Sequence, residues 1–338
     1  MNIAIVAGGT LGHIMPGLVL AKKLSEKHNV IYITSLKDKR FSVLNESEFL
    51  KKVYYVDSRG FTKNAMKNIV TLTKAICART HILKILKEER IDLVIGMGGY
   101  ISGIAMLCKR KTCKKIIHEQ NKIMGFANKV SLKYADKILL TFDIDLKERF
   151  NNKKCVVSNP VLFSNEGKCT KKQNKIIITS GSNGAKEVND IAIELINNHY
   201  LDNYDITLVT GKKYYENVKK EISNNNVKIL PFSNNLIDEL KDATYVISRA
   251  GSSTIFEALS TNTIPILIPS KNVKDNHQYF NALEIKRMNL GEIVESVDDI
   301  VKIINRIKRN YKEYISNINN YKKLHSMNKI INIIEGKD

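Results

Sequence analysis

The chain has 338 residues, enough for two domains, and its 43% hydrophobic and 26% charged residues are typical of a folded rather than a disordered protein. No apolar run approaches the ~20 residues that a membrane-spanning helix needs, and the first residues resemble a buried strand, so a signal peptide is not expected. The net charge is +20, and most of it falls in residues 1–160, which hold 29 Lys and Arg against 13 Asp and Glu.

A basic half of this kind predicts a negatively charged partner, either nucleic acid or an anionic lipid surface. Few aromatic residues interleave with the basic ones and no nucleic-acid-binding module is visible, so nucleic acid is not expected. A general lysine bias of the proteome is the alternative explanation. The cysteines are odd in number and lack a C-x-x-C pair, which predicts reduced thiols rather than disulfides or a zinc site.

Short apolar runs alternate with amphipathic stretches along the first half of the chain, and this pattern begins again near Lys175. Such alternation predicts parallel sheets covered by helices on both faces. We therefore predict an α/β fold of two doubly wound domains, 1–160 and 161–338, that face each other across a cleft. The last helix is a candidate to pack back on the first domain. The strands are predicted at 3–7, 30–34, 93–95, 115–118, 138–141, 175–179, 206–210, 227–230, 245–248 and 264–268.

Two glycine-rich turns follow predicted strands in the first half, Gly8–His13 and Gly96–Gly103. Glycines let the backbone approach a ligand closely, and a helix N-terminus offers free N–H groups to an anion. Neither a G-x-G-x-x-G nor a G-K-[ST] pattern is present, which argues against a dinucleotide and against a P-loop. His13 is a candidate general base, with packing at the start of a helix as the alternative.

The sequence His118-Glu119-Gln120-Asn121 follows another predicted strand. Polar residues at the carboxyl end of a strand suit recognition of ligand hydroxyls, although a salt-bridged loop is an equally simple explanation. The spacing is not H-E-x-x-H, so a zinc site is not implied.

Three further turns in the second half are candidates for binding a nucleotide sugar. The turn Ser180–Ala185 is predicted to place Ser182 at a helix start, where N–H groups can bind a diphosphate. Glu257, early in the next helix, can accept hydrogen bonds from a ribose diol or simply favour the positive helix end. Gln278 and Asn281 are predicted to share one helix face and contact sugar hydroxyls, with ordinary surface polarity as the alternative.

The stretch Lys63–Arg90 interleaves apolar and basic residues in a helical pattern. Such a helix can lie on an anionic membrane surface, or it can pack on the core with its lysines in solvent. The residues expected to contact lipid are Lys67, Ile69, Leu72, Ile76, Arg79 and Leu83.

Taken in order, these segments from Gly8 to about Ala282 resemble the MurG family, the GT-B-fold N-acetylglucosaminyltransferases of peptidoglycan synthesis. The resemblance implies a peripheral enzyme at the cytoplasmic face of the membrane. Its N-terminal domain would bind undecaprenyl-linked muramyl-pentapeptide, and its C-terminal domain would bind UDP-N-acetylglucosamine. It implies inverting transfer to the 4-hydroxyl of the acceptor, with no cofactor or metal required by the sequence.

The resemblance also assigns residues. His13 is the first candidate for the catalytic base and Glu119 the second, while the helix starts at Ser182 and Ser252 would stabilise the departing diphosphate. The donor side is implied to include Thr10, Asn121, Ser182, Glu257, Gln278 and Asn281. The acceptor side is implied to include Gly9, Gly12, Gly98, Gly99, Tyr100 and Ser102.

Four positions depart from the family pattern. Leu11 replaces a glycine in the first turn, Leu162 stands where an arginine is typical, and Ser158 and Ser180 replace glycines. They leave open a related transferase with another lipid acceptor, or a catalytically silent protein that binds lipid or nucleotide. A UDP-sugar 2-epimerase, which can share this architecture and acts on the donor alone, is a further alternative.

Overall fold

The structure is a computed structural model that describes residues 1–58, 60, 65–108, 113–163, 174–181, 184–224, 226–233, 236–270 and 273–337. For residues 65–70, 162–163 and 274 it describes the backbone alone. The contacts within the chain divide it into two compact units. The first unit is Met1–Pro160 with Ser326–Asp338, and the second is Val161–His325.

The first unit is built on a seven-stranded parallel sheet in the order β3-β2-β1-β4-β5-β6-β7. Its central strand, the fourth in this order, is buried along its whole length, as expected for a parallel sheet covered on both faces. The strands are β1 (Asn2–Val6), β2 (Asn29–Ser35), β3 (Lys52–Val56), β4 (Leu93–Gly96), β5 (Lys114–Glu119), β6 (Lys137–Leu140) and β7 (Lys154–Val156). Helices in this part of the chain are α1 (Leu11–Ser25), α2 (Ala65–Glu88), α3 (Tyr100–Met106) and α4 (Phe126–Ser131).

The second unit repeats this plan with a six-stranded parallel sheet in the order β10-β9-β8-β11-β12-β13. The strands are β8 (Lys175–Thr179), β9 (Asp205–Val209), β10 (Lys228–Leu230), β11 (Tyr245–Ser248), β12 (Ile264–Leu267) and β13 (Glu292–Ile293). The helices are α5 (Lys186–Asn197), α6 (Tyr215–Glu221), α7 (Leu236–Lys241), α8 (Ser252–Ser260), α9 (His277–Arg287), α10 (Val297–Arg309) and α11 (Tyr311–Leu324).

The C-terminal helix α12 (Met327–Glu335) belongs to the first unit. His28, which lies between α1 and β2, places Nε2 3.0 Å from Oε1 of Glu335 in this helix. The His28 and Lys337 side chains both lower the pKa of the Glu335 carboxyl, with Lys337 contributing more. The contact between His28 and Glu335 thus joins α12 to the loop between α1 and β2.

The predicted strands all form, with ends within one residue of the prediction, and both sheets are parallel as expected. The sequence did not indicate β3, β7 and β13. These are edge strands of their sheets, and they are short or only partly buried, so their hydrophobic signal is weak.

Candidate active site

The carboxyl ends of β1, β4 and β5 lie side by side in the first unit, because β4 pairs in parallel with both β1 and β5. The loops that follow these strands carry the glycine-rich turns and the His118–Asn121 sequence. Parallel pairing therefore brings to one edge of the sheet residues that are more than 100 positions apart in the chain.

The two glycine loops of the first unit are in direct contact. Gly98 and Gly99 have φ angles of +99° and +80°, a region that favours glycine. A Cβ on Gly99 would lie 2.2 Å from the carbonyl oxygen of Gly8. A Cβ on Gly98 would lie 2.7 Å from Nδ1 of His13. The absence of side chains at these positions therefore lets the first loop and the His13 ring pack against the second loop.

The buried carboxylate of Asp38 fixes the backbone of the first glycine loop by hydrogen bonding. Its Oδ2 accepts hydrogen bonds from the backbone N–H of Gly9 at 3.0 Å and from Oγ1 of Thr34 at 2.9 Å. Arg40 donates to the carbonyl oxygen of Gly9 at 3.3 Å. Beside this loop lies an open hollow, which is lined by Gly9, Asp38 and Arg40 together with Lys37, Ser58 and Tyr100. Its lysine and arginine make the hollow receptive to an anion.

A chain of hydrogen bonds connects His13 to the interior of the sheet through Gln120. The side chain of Gln120 lies with Oε1 3.2 Å from Nδ1 of His13 and with Nε2 2.8 Å from the carbonyl oxygen of Met97. The same Nε2 lies 3.1 Å from Nδ1 of His118. Burial lowers the pKa of His118 to about 4, so its ring is neutral at physiological pH.

The second candidate base, Glu119, is engaged in its own loop. Its Oε1 accepts from the backbone N–H of Asn121 at 3.1 Å, and its Oε2 accepts from Gly125 N and Asn128 Nδ2, both at 2.9 Å. Glu119 as a whole is only 2% exposed. These contacts give Glu119 the role of shaping residues 120–125, whereas half-buried His13 retains a ring nitrogen, Nε2, that makes no hydrogen bond within the described ranges.

The other residues predicted in the first unit differ in their accessibility. Gly9, Thr10 and Gly12 are exposed, and Asn121 and Tyr100 are partly exposed at the same edge. Ser102 is fully buried, and its hydroxyl packs where a Cβ on Gly96 would lie, 2.5 Å away. A direct contact between Ser102 and a ligand would therefore require the packing of α3 on β4 to open.

In the second unit, Arg249 lies at the carboxyl end of β11 beside the predicted helix α9. Its Nε donates to Oε1 of Gln278 at 3.3 Å, and the same oxygen accepts from Ser270 N at 3.1 Å. Burial lowers the pKa of Arg249 below its ordinary value while Glu187 opposes that effect, and an arginine stays charged under these conditions. The sequence did not predict that Arg249 would be held in this position.

Gln278 and Asn281 share one buried face of α9, as predicted from their spacing. Both side chains form hydrogen bonds within the protein. Gln278 accepts from Arg249, and Asn281 donates to the carbonyl oxygen of Ala250 at 3.3 Å. The surface-polarity alternative is therefore wrong for these two residues. Their amides fix the turn between β11 and α8.

Glu257 lies in the second turn of α8, which begins at Ser252 as predicted. Burial raises the pKa of its carboxyl to about 7, although the residue as a whole retains some exposed surface. The carboxyl is thus near its titration point at neutral pH and gains from donors that stabilise its charged form.

The turn after β8 differs from the prediction. The following helix α5 begins at Lys186, with Ala185 as its N-cap, rather than at Ser182. Ser182 itself lies outside the described residues. The expectation that Ser182 starts a helix is therefore wrong. Gly181 and Gly184 have φ angles of +75° and +74°, which explains why two glycines form this turn.

The residues predicted to contact a membrane lie on α2. Leu72 and Ile76 are 55% and 59% exposed, and Arg79 is exposed with Nε 3.4 Å from the carbonyl oxygen of Leu107. Leu83 instead packs partly buried against the core of the first unit, and the side chains of Lys67 and Ile69 lie outside the described residues. Phe126 and Val130 on α4, which the prediction did not include, are exposed as well.

No helix within the described ranges is long and apolar enough to cross a membrane. The described residues likewise contain no group of three or more His, Cys, Asp or Glu side chains placed to hold a metal ion.

Residues 3–140 match the glycosyltransferase family 28 N-terminal domain, and residues 175–334 match the glycosyltransferase family 28 C-terminal domain. The chain belongs to glycosyltransferase family 28. The predicted resemblance to the MurG family is confirmed by curated relatives named UDP-N-acetylglucosamine–N-acetylmuramyl-(pentapeptide) pyrophosphoryl-undecaprenol N-acetylglucosamine transferase. The relative from Lactobacillus helveticus is 31% identical over 89% of this chain and 91% of its own length. That from Vesicomyosocius okutanii is 33% identical over 91% and 88%.

Solved structures give the same fold for this family 28 member. The crystal structure of Acinetobacter baumannii MurG matches with a TM-score of 0.72 and 22% identity, covering 94% of each chain. The calicheamicin glycosyltransferase CalG4 matches with a TM-score of 0.65 and 11% identity, covering 95% of this chain and 93% of its own. The predicted GT-B fold, with two Rossmann-like domains, is confirmed.

Proposed function

We propose that this family 28 glycosyltransferase moves N-acetylglucosamine from UDP-N-acetylglucosamine to the 4-hydroxyl of lipid-linked N-acetylmuramyl-pentapeptide, the reaction named for its relatives. The observation that carries the proposal is the polar edge of the first sheet. There the two glycine loops, the basic hollow and His13 lie together. A proton acceptor beside an anion-receptive hollow is what the transfer of a sugar to a diphosphate-linked acceptor needs.

On the acceptor side, the hollow beside Gly9 suits the diphosphate of the lipid carrier. Lys37 and Arg40 supply positive charge, and Asp38 holds the backbone of the loop in place. Tyr100 borders the same hollow. Gly12, Gly98 and Gly99 contribute by letting the chain approach closely rather than through side chains.

On the donor side, Glu257 accepts hydrogen bonds from the ribose hydroxyls, and Arg249 neutralises the diphosphate. The N-terminus of α8 at Ser252 adds N–H groups with the favourable dipole orientation. Gln278 orients Arg249, and Asn281 fixes the backbone that follows it. The family resemblance assigns Ser182, Thr10 and Asn121 to the donor as well.

In the proposed reaction, the acceptor oxygen attacks the anomeric carbon as its proton passes to His13. The bond between that carbon and the phosphate oxygen breaks, and its electron pair leaves with UDP. Attack from the face opposite the leaving group inverts the configuration and gives a β-1,4 link. Arg249 and the start of α8 stabilise the charge that develops on the leaving diphosphate.

The acceptor's lipid chain requires the enzyme to work at a membrane surface, which we place at the cytoplasmic face. Two helices that pack against α3 each expose a pair of apolar side chains. These are Leu72 and Ile76 on α2, and Phe126 and Val130 on α4. Arg79 and Lys129 add positive charge near them. Exposed apolar residues among cations favour an anionic lipid surface.

An assay of UDP release from UDP-N-acetylglucosamine, with and without lipid-linked muramyl-pentapeptide, tests the proposal. Release that depends on the acceptor is expected. Conversion of UDP-N-acetylglucosamine to its 2-epimer without acceptor would establish the epimerase alternative. Binding of both substrates without turnover would establish a silent protein, and either result would refute the proposed function.

A further inference from the structure

The orientation of the Gln120 amide is fixed by its neighbours. Its Nε2 lies 2.8 Å from the carbonyl oxygen of Met97 and 3.2 Å from that of His118. Carbonyl oxygens only accept hydrogen bonds, so the atom that faces both of them must be the NH₂ group rather than the amide oxygen. The amide oxygen, Oε1, is then the atom that faces His13.

This orientation determines which nitrogen of His13 carries hydrogen. Oε1 of Gln120 lies 3.2 Å from Nδ1 of His13 and can only accept, so Nδ1 must donate. In a neutral imidazole one nitrogen is protonated and the other has a free electron pair. When its ring is neutral, His13 therefore holds hydrogen on Nδ1 and a free electron pair on Nε2.

His118 supports the same assignment from the other end. Its Nε2 lies 3.2 Å from the carbonyl oxygen of Ser158 and must donate to it, which leaves Nδ1 as an acceptor 3.1 Å from Nε2 of Gln120. Every donor in this chain thus meets an acceptor. Exchanging the two ends of the Gln120 amide would place its oxygen against two carbonyl oxygens and the electron pair of His118.

The His13 ring is also restrained by packing. Nδ1 and Cε1 of the ring lie 2.7 Å and 2.9 Å from the position that a Cβ on Gly98 would occupy. The ring thus rests against a residue that has no side chain, on the face presented by the second glycine loop. Contact on this side and the hydrogen bond to Gln120 together define a single ring orientation.

We propose that Gln120 is a positioning residue that holds His13 in the Nδ1–H tautomer, so that Nε2 is the atom that receives the proton of the attacking hydroxyl. The role of Nε2 in the reaction rests on the proposed function, whereas the tautomer is a property of the protein without substrate. A neutral amide does this without adding a negative charge beside the ring, in contrast to a carboxylate in the same place.

Nuclear magnetic resonance of the full chain with ¹⁵N-labelled histidine rings tests the tautomer directly at pH 8, where an ordinary imidazole is neutral. Long-range proton–nitrogen correlations distinguish the protonated from the unprotonated ring nitrogen. The chain has seven histidines, and the His13 signals are those missing from a His13→Ala variant. We expect hydrogen on Nδ1 of His13 and on Nε2 of His118. Hydrogen on Nε2 of His13 in the unaltered protein would overturn the proposal.

A Gln120→Met variant keeps the length of the side chain and removes the acceptor. We expect His13 to lose its single tautomer, while His118 keeps hydrogen on Nε2 because Ser158 still accepts it. That His118 signal reports in the same spectrum that β5 remains folded. A His13 ring that stays in the Nδ1–H form in this variant would show that Gln120 does not hold it.

Kinetics of the same variant test the consequence for the reaction. We expect kcat to fall by about 10- to 100-fold, as for partial loss of a general base, with a change in KM for UDP-N-acetylglucosamine of less than about twofold. An unchanged kcat would contradict the positioning role. If the unaltered protein has no transferase activity, the proposed function fails, while the spectrum still decides whether Gln120 sets the tautomer of His13.

Discussion

A Cβ atom on Gly99 would lie 2.2 Å from the carbonyl oxygen of Gly8, so the two glycine loops of the first unit fit together only while this position has no side chain. Gly99 also has a φ angle of +80°, which other residues rarely adopt. The contact ties the turn after β1 to the turn after β4, and with them the hollow and the His13 ring.

A Gly99→Ala variant should therefore separate the two loops. We expect kcat/KM to fall by at least about 100-fold, since displacements of ~1 Å in a site cost this much, and the thermal unfolding midpoint to fall as well. Gly336→Ala is the matched control, because Gly336 has a φ angle of +73° and an added Cβ there meets no atom within 4 Å. Equal activity in the two variants would contradict the proposed contact between loops and site.

Replacing His13 should mainly lower activity, whereas replacing Glu119 should mainly lower stability. His13→Ala should lower kcat by about 100- to 10,000-fold with little change in folding, as for loss of a general base. Glu119→Gln turns an acceptor of several backbone and side-chain donors into an amide, and should lower stability by about 1–3 kcal/mol. Comparing kcat with thermal unfolding for both variants checks this division of roles, which a stable but inactive Glu119→Gln protein would reverse.

Arg249 should act on the diphosphate of the donor. Arg249→Met is expected to weaken binding of UDP by about 10- to 100-fold, the usual value of a hydrogen bond to a charged group, while binding of uridine changes little. Titration calorimetry with the two ligands measures the difference. Arg287→Met, which removes an exposed arginine on α9 that pairs with Glu284, serves as the control and should leave both affinities unchanged.

Glu257 should couple donor binding to pH. Its carboxyl has a pKa of about 7 in the folded protein against an ordinary value of 4.5, so the folded state binds the proton more tightly. An ionised carboxylate accepts hydrogen bonds from ribose hydroxyls more strongly than a carboxylic acid does, and KM for UDP-N-acetylglucosamine should therefore rise as the pH falls below 7. Measurement of KM between pH 6 and 8.5 checks this, and a flat profile would argue against the ribose contact.

The raised pKa of Glu257 also makes the stability of the folded protein depend on pH, and here the ionised form is the unfavourable one. Because the folded pKa is raised, stability is lost as the pH rises from about 4.5 through 7, and a neutral side chain avoids this loss. Glu257→Gln should thus be more stable than the unaltered protein by about 1–3 kcal/mol at pH 8 and equally stable at pH 4. Glu216→Gln removes an exposed charge from the same unit and should change neither value.

Membrane binding should depend on the exposed apolar residues of α2. A Leu72→Asn, Ile76→Asn variant is expected to bind phosphatidylglycerol vesicles at least about 10-fold more weakly, given ~1.5–3 kcal/mol for each large apolar side chain that is fully buried. Leu324→Asn, which alters a leucine on α11 that is 71% exposed, is the control. An equal loss of vesicle binding in both variants would show that lipid contact is non-specific or involves other residues.

The sequence was a good guide to the parts of the fold that repeat. Buried parallel strands are continuous apolar runs, and turns with several glycines mark the loops beside ligands, so both sheets and both glycine loops could be predicted. The edge strands β3, β7 and β13 lacked such runs. A helix start was predicted at Ser182, because serine is a favoured helix cap, but α5 begins four positions later, at Lys186.

Side-chain contacts between distant parts of the chain could not be predicted from the sequence. His13 and Gln120 are 107 positions apart, and only the pairing of β1, β4 and β5 brings them together. Arg249 could be noticed as a basic residue after a strand, but its contact with Gln278 required the position of α9. The resemblance assigned Ser102 to the acceptor, and the helical pattern assigned Leu83 to lipid contact. Packing instead buries Ser102 within the protein and places Leu83 against the core.

The linkage of the product tests the central claim most directly. After incubation of the enzyme with UDP-N-acetylglucosamine and lipid-linked muramyl-pentapeptide, the disaccharide is released from the lipid and its structure determined by nuclear magnetic resonance. We predict N-acetylglucosamine joined β-1,4 to the muramyl sugar, with the anomeric configuration of the donor inverted. An α link, or recovery of the free 2-epimer of the donor with the acceptor unchanged, would contradict the account.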